Sequence, residues 1–269
     1  MPDPSGGTAL FASYNIHKAV GTDGVFNPER IARVVEEIAP DVIAMQEADR
    51  RFGDKAGLLD LDRIAGEIGL VPVRVSGQRI ASHGWHGNLI LVREALVHDL
   101  RQVRLPGLEP RGALVVDMEV GAHPVRVMAA HLGLLRQSRL LQVQTLLSHA
   151  ADGDGRPVVV MGDLNEWRRD RRSALRRFHS RFGPTSHSAK SYPSYFPMFA
   201  LDRIIASPGH IMGPVSVHSS PLARVASDHL PITARLRLDV PAETAATAES
   251  STLRADAPPL AMRRRRSRK

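Results

Sequence analysis

The sequence predicts an α/β (α+β) fold in which two mixed β-sheets pack together with helices outside them. Apolar runs of strand length alternate with helical stretches across the first 240 residues. Some neighbouring strands are joined directly by short turns, at residues 93–96 and 121–124, whereas others are separated by a helix. This mixture disfavours a purely parallel sheet and favours two packed sheets.

The individual elements follow from these runs. The predicted strands span residues 9–15, 42–46, 71–75, 88–92, 97–104, 113–120, 125–131, 158–161, 201–206, 212–218 and 231–238. The predicted helices span residues 28–39, 59–68, 136–150 and 168–178. Pro28 suits the first turn of its helix, where the missing N–H would have no partner in any case.

Composition predicts one domain in a reducing compartment. With 269 residues and 43% apolar content, the chain has enough material for one large core, which we place at residues 8–239 after a short flexible N-terminus at residues 1–7. No run of about 18 apolar residues is present, so we expect no membrane span. The N-terminal stretch lacks the pattern of a secretory signal. The absence of cysteine excludes disulfides and thiolate metal sites and fits a cytoplasmic location.

Residues 240–269 form a tail of different composition. It is rich in Ala, Pro, Ser and Glu, so we expect it to be disordered. It carries seven positive and three negative residues, which is half of the chain's net charge of +8. Its end, RRRRSRK, suits contact with an anionic membrane surface or a nucleic acid, which would make the protein peripheral at the membrane in the first case. A solvated tail without a specific partner is an equally good interpretation.

The stretch MGDLNEW, residues 161–167, follows a buried strand and places Asp163 and Asn165 two residues apart. Side chains at positions i and i+2 of an extended segment face the same way, so both polar groups point to one place. A plain turn after Gly162 is the alternative, since these residue types are common in turns. We expect Glu166 in the first turn of the following helix, where a negative charge is favoured, and Trp167 packed against the start of that helix.

Other predicted strand ends also carry polar side chains that turns do not require. They are Asn15, Glu47, His131, Asp202, and the adjacent pair Asp228 and His229. A carboxylate such as Glu47 is costly at the end of a buried strand unless it is paired or binds a cation. A lone histidine such as His131 is more often a structural residue. Taken together, however, these strand ends indicate a shared polar site.

The motifs SYNIH, IAMQE, RGAL, AAHL, MGDLN, ALDRI and SDHLP occur in that order between residues 10 and 236. In this order they resemble the endonuclease/exonuclease/phosphatase superfamily. The resemblance implies a four-layer α/β/β/α sandwich with one divalent-metal phosphoesterase site at the sheet edges. The stretches HGWHGN, LPGLEPRGAL, HLGLLRQSR and GDLNEWR look like a small bacterial subgroup of that superfamily.

The resemblance also implies a metal site. Glu47 is then the principal ligand, Asn15 lies beside it, and Asp228 completes the site directly or through water. Such hard oxygen ligands suit Mg²⁺ or Mn²⁺.

Catalytic roles follow from the same resemblance. Asp163 would orient or deprotonate the attacking water, and Asn165 would hold a phosphate oxygen. His229, held in its tautomer by Asp202, would donate to the phosphate. Two further residues would assist: His131 as a second phosphate contact or as the proton donor to the leaving group, and Arg111 as a grip on a phosphate oxygen.

The substrate is less well defined than the reaction. Nucleic acid, a phospholipid headgroup and a small phosphodiester all fit, and we expect a monomer. Aromatic residues are only 4% of the chain, which leaves few platforms for stacking bases. The arginines of EWRRDRRSALRR offer charge but suit a solvated helix face equally well. The loop residues expected to face the substrate are His83, Trp85, His86, Tyr192, Tyr195 and Phe196, although Trp85 and Phe196 could instead cover the core.

A binding protein is the alternative from a different functional class. In that interpretation the basic tail docks on anionic lipid or nucleic acid while the pocket is idle. The complete polar set argues against it, because no expected site position carries an apolar residue.

Overall fold

The computed structural model describes residues 7–50, 56–75, 82–151, 155–168, 170–183 and 189–239. Residues 1–6 of the predicted flexible N-terminus and the whole predicted tail at 240–269 lie outside these ranges. Within the described residues, no helix combines the length and the apolar character that a membrane span requires.

The described strands form two sheets. In chain order they are β1 (Thr8–Asn15), β2 (Val42–Gln46), β3 (Val71–Pro72), β4 (Leu89–Val92), β5 (Ala95–Leu105), β6 (Arg111–Val120), β7 (His123–Ala130), β8 (Val158–Asp163), β9 (Asp202–Ser207), β10 (Ser216–Val217) and β11 (Ile232–Arg237). Sheet one has the order β10-β11-β1-β2-β4-β3, and sheet two has the order β5-β6-β7-β8-β9. Both are mixed, because β1–β2 and β7–β8 are parallel pairs among antiparallel ones.

Helices cover the outer face of each sheet. They are α1 (Pro28–Ile38), α2 (Leu61–Ile68), α3 (Arg136–Ala151), α4 (His179–Phe182) and α5 (Pro221–Ala226). The start of α1 is encoded locally: the Asn27 side chain accepts from the backbone N–H of Arg30 at 3.2 Å, and Pro28 occupies the first helical position.

Three apolar clusters separate the layers. One lies between the sheets and includes Phe11 and Val116. A second packs the opposite face of sheet one against α1, α2 and α5, and it contains the neighbouring Ala12. A third packs sheet two against α3 and α4. Because successive strand residues face opposite sides, β1 contributes Phe11 to one cluster and Ala12 to the next. The predicted four-layer α/β/β/α sandwich is therefore confirmed.

The predicted helix at residues 168–178 is wrong in its first half. The chain turns at residues 170–172, and a 3₁₀ helix, Ala174–Phe178, leads into α4. The carboxylate of Glu166 explains this path, because it accepts from the N–H of Arg168 at 3.1 Å and from the N–H of Ala174 at 2.9 Å. This buried side chain therefore holds both ends of the loop together.

Two predicted strands are shorter than expected. Of residues 212–218, only Ser216–Val217 forms a strand, next to β11, while Met212 makes an isolated bridge to Leu236. Of residues 71–75, only Val71–Pro72 forms a strand, at the edge of sheet one.

Strand direction brings the polar residues to one end of the sandwich. The parallel strands β1 and β2 end there in sheet one, and the parallel strands β7 and β8 end there in sheet two. The antiparallel neighbours β11 and β9 begin at the same end, and Asp163 is the register partner of Asp202. The carboxyl ends of parallel strands thus place side chains from distant segments at one edge; we call this end the site edge.

Gly162 permits the close approach of β8 to β7 just before Asp163. Its φ is +149°, and a Cβ there would lie 1.8 Å from the backbone oxygen of Ala130. That distance is far inside van der Waals contact, so no side chain fits without moving a strand.

We expect Gly162→Ala to lower the free energy of unfolding by at least about 3 kcal/mol, because backbone strain and overpacking add at this position. Gly66→Ala is the matched control: Gly66 lies on the exposed side of α2 with open space around it, so alanine should stabilise the helix by roughly 0.5–1 kcal/mol. Urea unfolding of both variants measures the difference. Equal stabilities of the two variants would contradict this account of Gly162.

Candidate active site

Asp163 is the centre of the polar cluster at the site edge. It is buried at the end of β8, and its Oδ2 atom accepts from Asn15 Nδ2 at 3.0 Å. Its Oδ1 atom accepts from the backbone N–H of Asn165 at 3.0 Å. Asn15 belongs to sheet one and Asp163 to sheet two, so this hydrogen bond joins the two sheets at the predicted site.

Two histidines approach the same carboxylate oxygen. His131 Nε2 lies 3.4 Å and His229 Nε2 lies 3.8 Å from Asp163 Oδ2. Burial alone would raise the pKa of Asp163, but the charge of His229 and the neighbouring His131 hold this pKa below its usual value. The carboxylate is therefore ionised at neutral pH.

His229 is held by a second carboxylate, as predicted. Its Nδ1 atom lies 2.9 Å from Asp202 Oδ2, which also accepts from Ser191 Oγ. Burial acts to lower the pKa of His229, but the charge and hydrogen bond of Asp202, with Asp163 nearby, raise the pKa to about 10. His229 is therefore an imidazolium at neutral pH, with Nδ1 donating to Asp202.

His131 has the opposite character. It is buried at the end of β7, and burial lowers its pKa, although Asp163 acts to raise that pKa and Arg111 acts to lower it. His131 is therefore neutral at neutral pH. The two histidines thus bring one cation and one neutral imidazole to the same carboxylate.

Asn165 follows Asp163 with a left-handed backbone, at φ +50°. Its Nδ2 atom donates to the backbone oxygen of Leu132 at 2.8 Å. This bond fixes the amide beside His131, on the loop that follows β7. The predicted role of Asn165 as a phosphate contact stays a prediction.

Glu47 is paired with a residue that the sequence did not indicate. Lys18 Nζ donates to Glu47 Oε2. Lys18 lies in a short turn, His17–Ala19, in which all three residues have positive φ, and Glu47 itself has φ +59°. Burial acts to raise the pKa of Glu47, yet the hydrogen bond and the charge of Lys18 hold that pKa below its usual value. The carboxylate is ionised and has a cation beside it.

The other two predicted metal ligands lie near this turn. Asn15 Oδ1 accepts from the backbone N–H of His17 at 3.0 Å, and Asp228 Oδ1 lies 3.8 Å from His17 Nδ1. In the part of the chain that the structure describes, no group of three or more His, Asp or Glu side chains is close enough to hold a metal ion. A Mg²⁺ ion needs only one or two carboxylates when waters and substrate oxygens supply the rest, so Glu47 with Asn15 fits it, and Asp228 would contribute through water.

A cavity of about 750 Å³ opens beside Glu47 and His131. Arg111 lines it, and its Nη2 and Nε atoms donate to Glu109 Oε2 at 2.8 and 3.1 Å. Glu109 was not predicted, and its other oxygen accepts from the N–H of Leu134 at 2.6 Å. This carboxylate therefore fixes Arg111 at the cavity wall.

The loop residues predicted to face the substrate lie in different surroundings. Trp85 and His86 line the cavity. His83 does not, since its Nε2 atom lies 2.8 Å from the backbone oxygen of Leu59, and its role is to hold that loop. On the other side of Asp163, the ring of Tyr192 lies 4.8 Å from that of His229.

The remaining predicted aromatic residues, Tyr195 and Phe196, are exposed and lie just after Tyr192. Trp167 is also exposed and packs against Phe199, with ring centroids 6.2 Å apart, rather than against a helix. Glu166, which we expected in the first turn of a helix, lies in a loop and is fully buried.

Comparison with known proteins places this site in a family. A model of the Endonuclease/Exonuclease/phosphatase family matches residues 12–229, which is most of the chain and contains every predicted site residue. The chain belongs to the endonuclease/exonuclease/phosphatase family. Members of this family are hydrolases that act on phosphoester bonds.

The chain is similar to a curated protein and to several solved structures. Uncharacterized protein YbhP of Escherichia coli (strain K12) is 33% identical over 172 residues, and the match covers 58% of this chain and 64% of that protein. An endonuclease/exonuclease/phosphatase from Beutenbergia cavernae is 26% identical with a TM-score of 0.62, covering 86% of this chain and 72% of that one. D. rerio TDP2 complexed with single strand DNA product shares the fold, with 15% identity, a TM-score of 0.60 and coverage of 85% and 98%.

We expect Asp202→Asn to lower the pKa of His229, because the variant loses both the charge and the charged hydrogen bond that most strongly oppose the effect of burial. In the wild type, the His229 resonance should stay in its protonated position from about pH 6 to 9 in NMR titrations, whereas the variant should titrate in or below that range. The pKa of His229 is higher in the folded state than in the unfolded state. The Asp202 contact therefore stabilises the fold fully below about pH 6.5. This stabilisation is lost as the pH rises through about 10.

The control for this titration is Asp99→Asn, which removes an exposed carboxylate from β5, far from the site edge. The His229 curve should not change in that variant. Identical titration curves for the wild type and Asp202→Asn would show that Asp202 does not set the charge of His229.

Proposed function

We propose that this protein is a divalent-metal-dependent phosphoesterase that hydrolyses a phosphodiester or phosphomonoester by in-line attack of water. One observation carries the proposal: a single buried carboxylate, Asp163, contacts one neutral and one cationic imidazole beside the ionised Glu47. A reaction at phosphate needs a proton acceptor for water, positive charge for the phosphate oxygens and a cation for the developing charge. The cluster offers all three functions.

Asp163 is the residue that we assign to the attacking water. Its lowered pKa keeps it ionised, and the Asn15 and Asn165 hydrogen bonds fix both oxygens, so it presents a stationary acceptor to the water proton. A positioned general base of this kind contributes about 10²–10⁴-fold to the rate.

The two histidines divide the remaining work. His229, as an imidazolium anchored by Asp202, donates from Nε2 to a non-bridging phosphate oxygen. His131 is neutral, which favours a hydrogen-bond contact to the phosphate over proton donation to the leaving group. Arg111 at the cavity wall is a further phosphate contact, with its planar fork oriented by Glu109.

Mg²⁺ or Mn²⁺ is the proposed cofactor, held by Glu47 and Asn15, with Asp228 acting through water. When bound there, it would neutralise charge on the phosphate and on the leaving oxygen. The Lys18 ammonium donates to the same carboxylate, so it would have to move aside when the ion binds. We propose a cytoplasmic monomer as the active form.

Removal of the central groups should abolish turnover while the fold persists. We expect Asp163→Asn, His229→Gln and Glu47→Gln each to lower kcat on bis(p-nitrophenyl) phosphate by about 10²–10⁴-fold, because each removes a charge that the reaction uses. Asp99→Asn is the matched control and should retain full activity. Circular dichroism checks the fold, and wild-type rates in all three folded site variants would refute the proposal.

Metal binding gives a readout that does not depend on turnover. In titration calorimetry, Glu47→Gln should abolish Mg²⁺ binding. Lys18→Met should strengthen it by roughly two- to fivefold, because the half-exposed ammonium no longer competes for the carboxylate. Treatment of the wild type with EDTA should remove its activity, and Mg²⁺ or Mn²⁺ should restore it. Activity that survives EDTA would contradict metal dependence.

A further inference from the structure

Large apolar side chains are exposed on four separate loops at the site edge. They are Leu108 between β5 and β6, Leu134 and Leu135 between β7 and α3, Trp167 after β8, and Tyr195 and Phe196 before β9, and they are between 49% and 85% exposed. We call these six residues the apolar rim. A soluble surface tolerates single exposed apolar residues, but such a concentration on functional loops marks an interaction site.

Side-chain contacts join the loops of the apolar rim into one surface. Glu109, next to Leu108, accepts from the N–H of Leu134. Arg136, next to Leu135, donates from Nε to the backbone oxygen of Arg172 at 2.6 Å. Trp167 packs against Phe199, which belongs to the loop of Tyr195 and Phe196. Two hydrogen bonds and one aromatic contact therefore hold the loops of the rim together.

The rim borders the proposed catalytic cluster. Leu108 lines the same cavity as Arg111 and His131. Leu134 and Trp167 lie a few residues after His131 and Asp163 along their loops. Tyr195 follows Tyr192, whose ring contacts His229. A surface that touches the rim therefore lies directly over the phosphate-binding groups.

Positive charge accompanies the apolar side chains. The exposed basic residues on these loops and at the adjoining end of β5 are Arg104, Arg136, Arg171, Arg172 and Lys190, and the Arg168 guanidinium lies 5.4 Å from the centre of the Trp167 ring. Asp170 is an exposed acidic residue among them. Tryptophan, tyrosine and arginine around aliphatic side chains form the composition that binds a bilayer interface, where rings and guanidinium groups reach the headgroups.

We infer that the apolar rim docks on the surface of an anionic phospholipid bilayer and brings a lipid phosphodiester to the Asp163 cluster. The inference rests on the proposed function and names its substrate class as a membrane phospholipid. Single-stranded nucleic acid is disfavoured as the occupant, because half of the rim is leucine, which has no ring on which a base can stack.

Vesicle binding tests the inference on the full chain. With vesicles of phosphatidylcholine and phosphatidylglycerol, the double variant Leu134→Ser/Leu135→Ser should bind at least about tenfold more weakly than the wild type, since it loses two apolar side chains that would be buried in the bilayer. The matched control, Leu96→Ser/Leu141→Ser, removes two apolar side chains that are 59% and 52% exposed away from the site edge, and it should bind as the wild type does. All variants keep the basic tail, so the contribution of the tail to vesicle binding is the same in each of them. Equal binding of both double variants would overturn the inference.

The depth of docking gives an independent readout. Trp167 fluorescence should be quenched by phospholipids that carry bromine on the acyl chain near the headgroup, and Trp167→Phe should remove that quenching while leaving the signal of Trp85. Absence of acyl-chain quenching in the wild type would also overturn the inference.

Soluble substrate separates this inference from the proposed function. The variant Leu134→Ser/Leu135→Ser should hydrolyse bis(p-nitrophenyl) phosphate at the wild-type rate, because neither leucine side chain lines the cavity and the backbone N–H of residue 134 still donates to Glu109. If vesicle binding is indifferent to the rim while this hydrolysis persists, docking fails and the phosphoesterase stands. If the rim variant instead loses affinity for single-stranded DNA and keeps its affinity for vesicles, the occupant is nucleic acid and the lipid assignment is wrong.

Discussion

The hydrogen bond between Asn15 and Asp163 is the interaction on which the site depends. The two residues are 148 positions apart and belong to different sheets, so the bond forms only when the sheets are packed in register. Both side chains are buried, which makes an unpaired carboxylate or amide there costly. The packing of the sandwich and the geometry of the cluster therefore stabilise each other, and Gly162 provides the close strand approach that makes both possible.

The unequal environments of His131 and His229 give the two imidazoles different charges. Both imidazoles are buried beside one carboxylate, yet only His229 has a second carboxylate, Asp202, on its other nitrogen. This contact, together with the Arg111 cation near His131, separates a cationic imidazole from a neutral one. Pairs of titratable groups whose surroundings drive their pKa values apart are typical of acid–base sites. The two histidines therefore have different roles because their neighbouring side chains differ, although their residue type is the same.

Much of the fold and the central part of the site could be predicted from the sequence. Strand-length apolar runs locate most strands. Asn15, His131, Asp163 and His229 could be grouped because each follows or precedes such a run, and strand ends of one direction meet at one edge. The ordered motifs then supplied, through the family resemblance, the four-layer arrangement, which apolar patterns alone do not fix.

The residues that escaped prediction act through contacts that no local pattern reports. Lys18 reaches Glu47 because three consecutive non-glycine residues adopt positive φ, a conformation without a sequence signal here. Glu109 holds Arg111 and a distant loop at once, and Glu166 replaces a predicted helical turn with a loop bound to its carboxylate. In each case a polar side-chain contact sets the path of the chain or the position of a site residue.

A crystal structure of the full chain grown with Mg²⁺ and inorganic phosphate would test the central claim most directly. We predict a cation about 2.1 Å from a Glu47 oxygen, with Lys18 displaced from it, and a phosphate that contacts His131 and His229 Nε2 within hydrogen-bond distance. The account would be contradicted if Lys18 still occupied Glu47 under saturating Mg²⁺ and the phosphate lay away from both histidines.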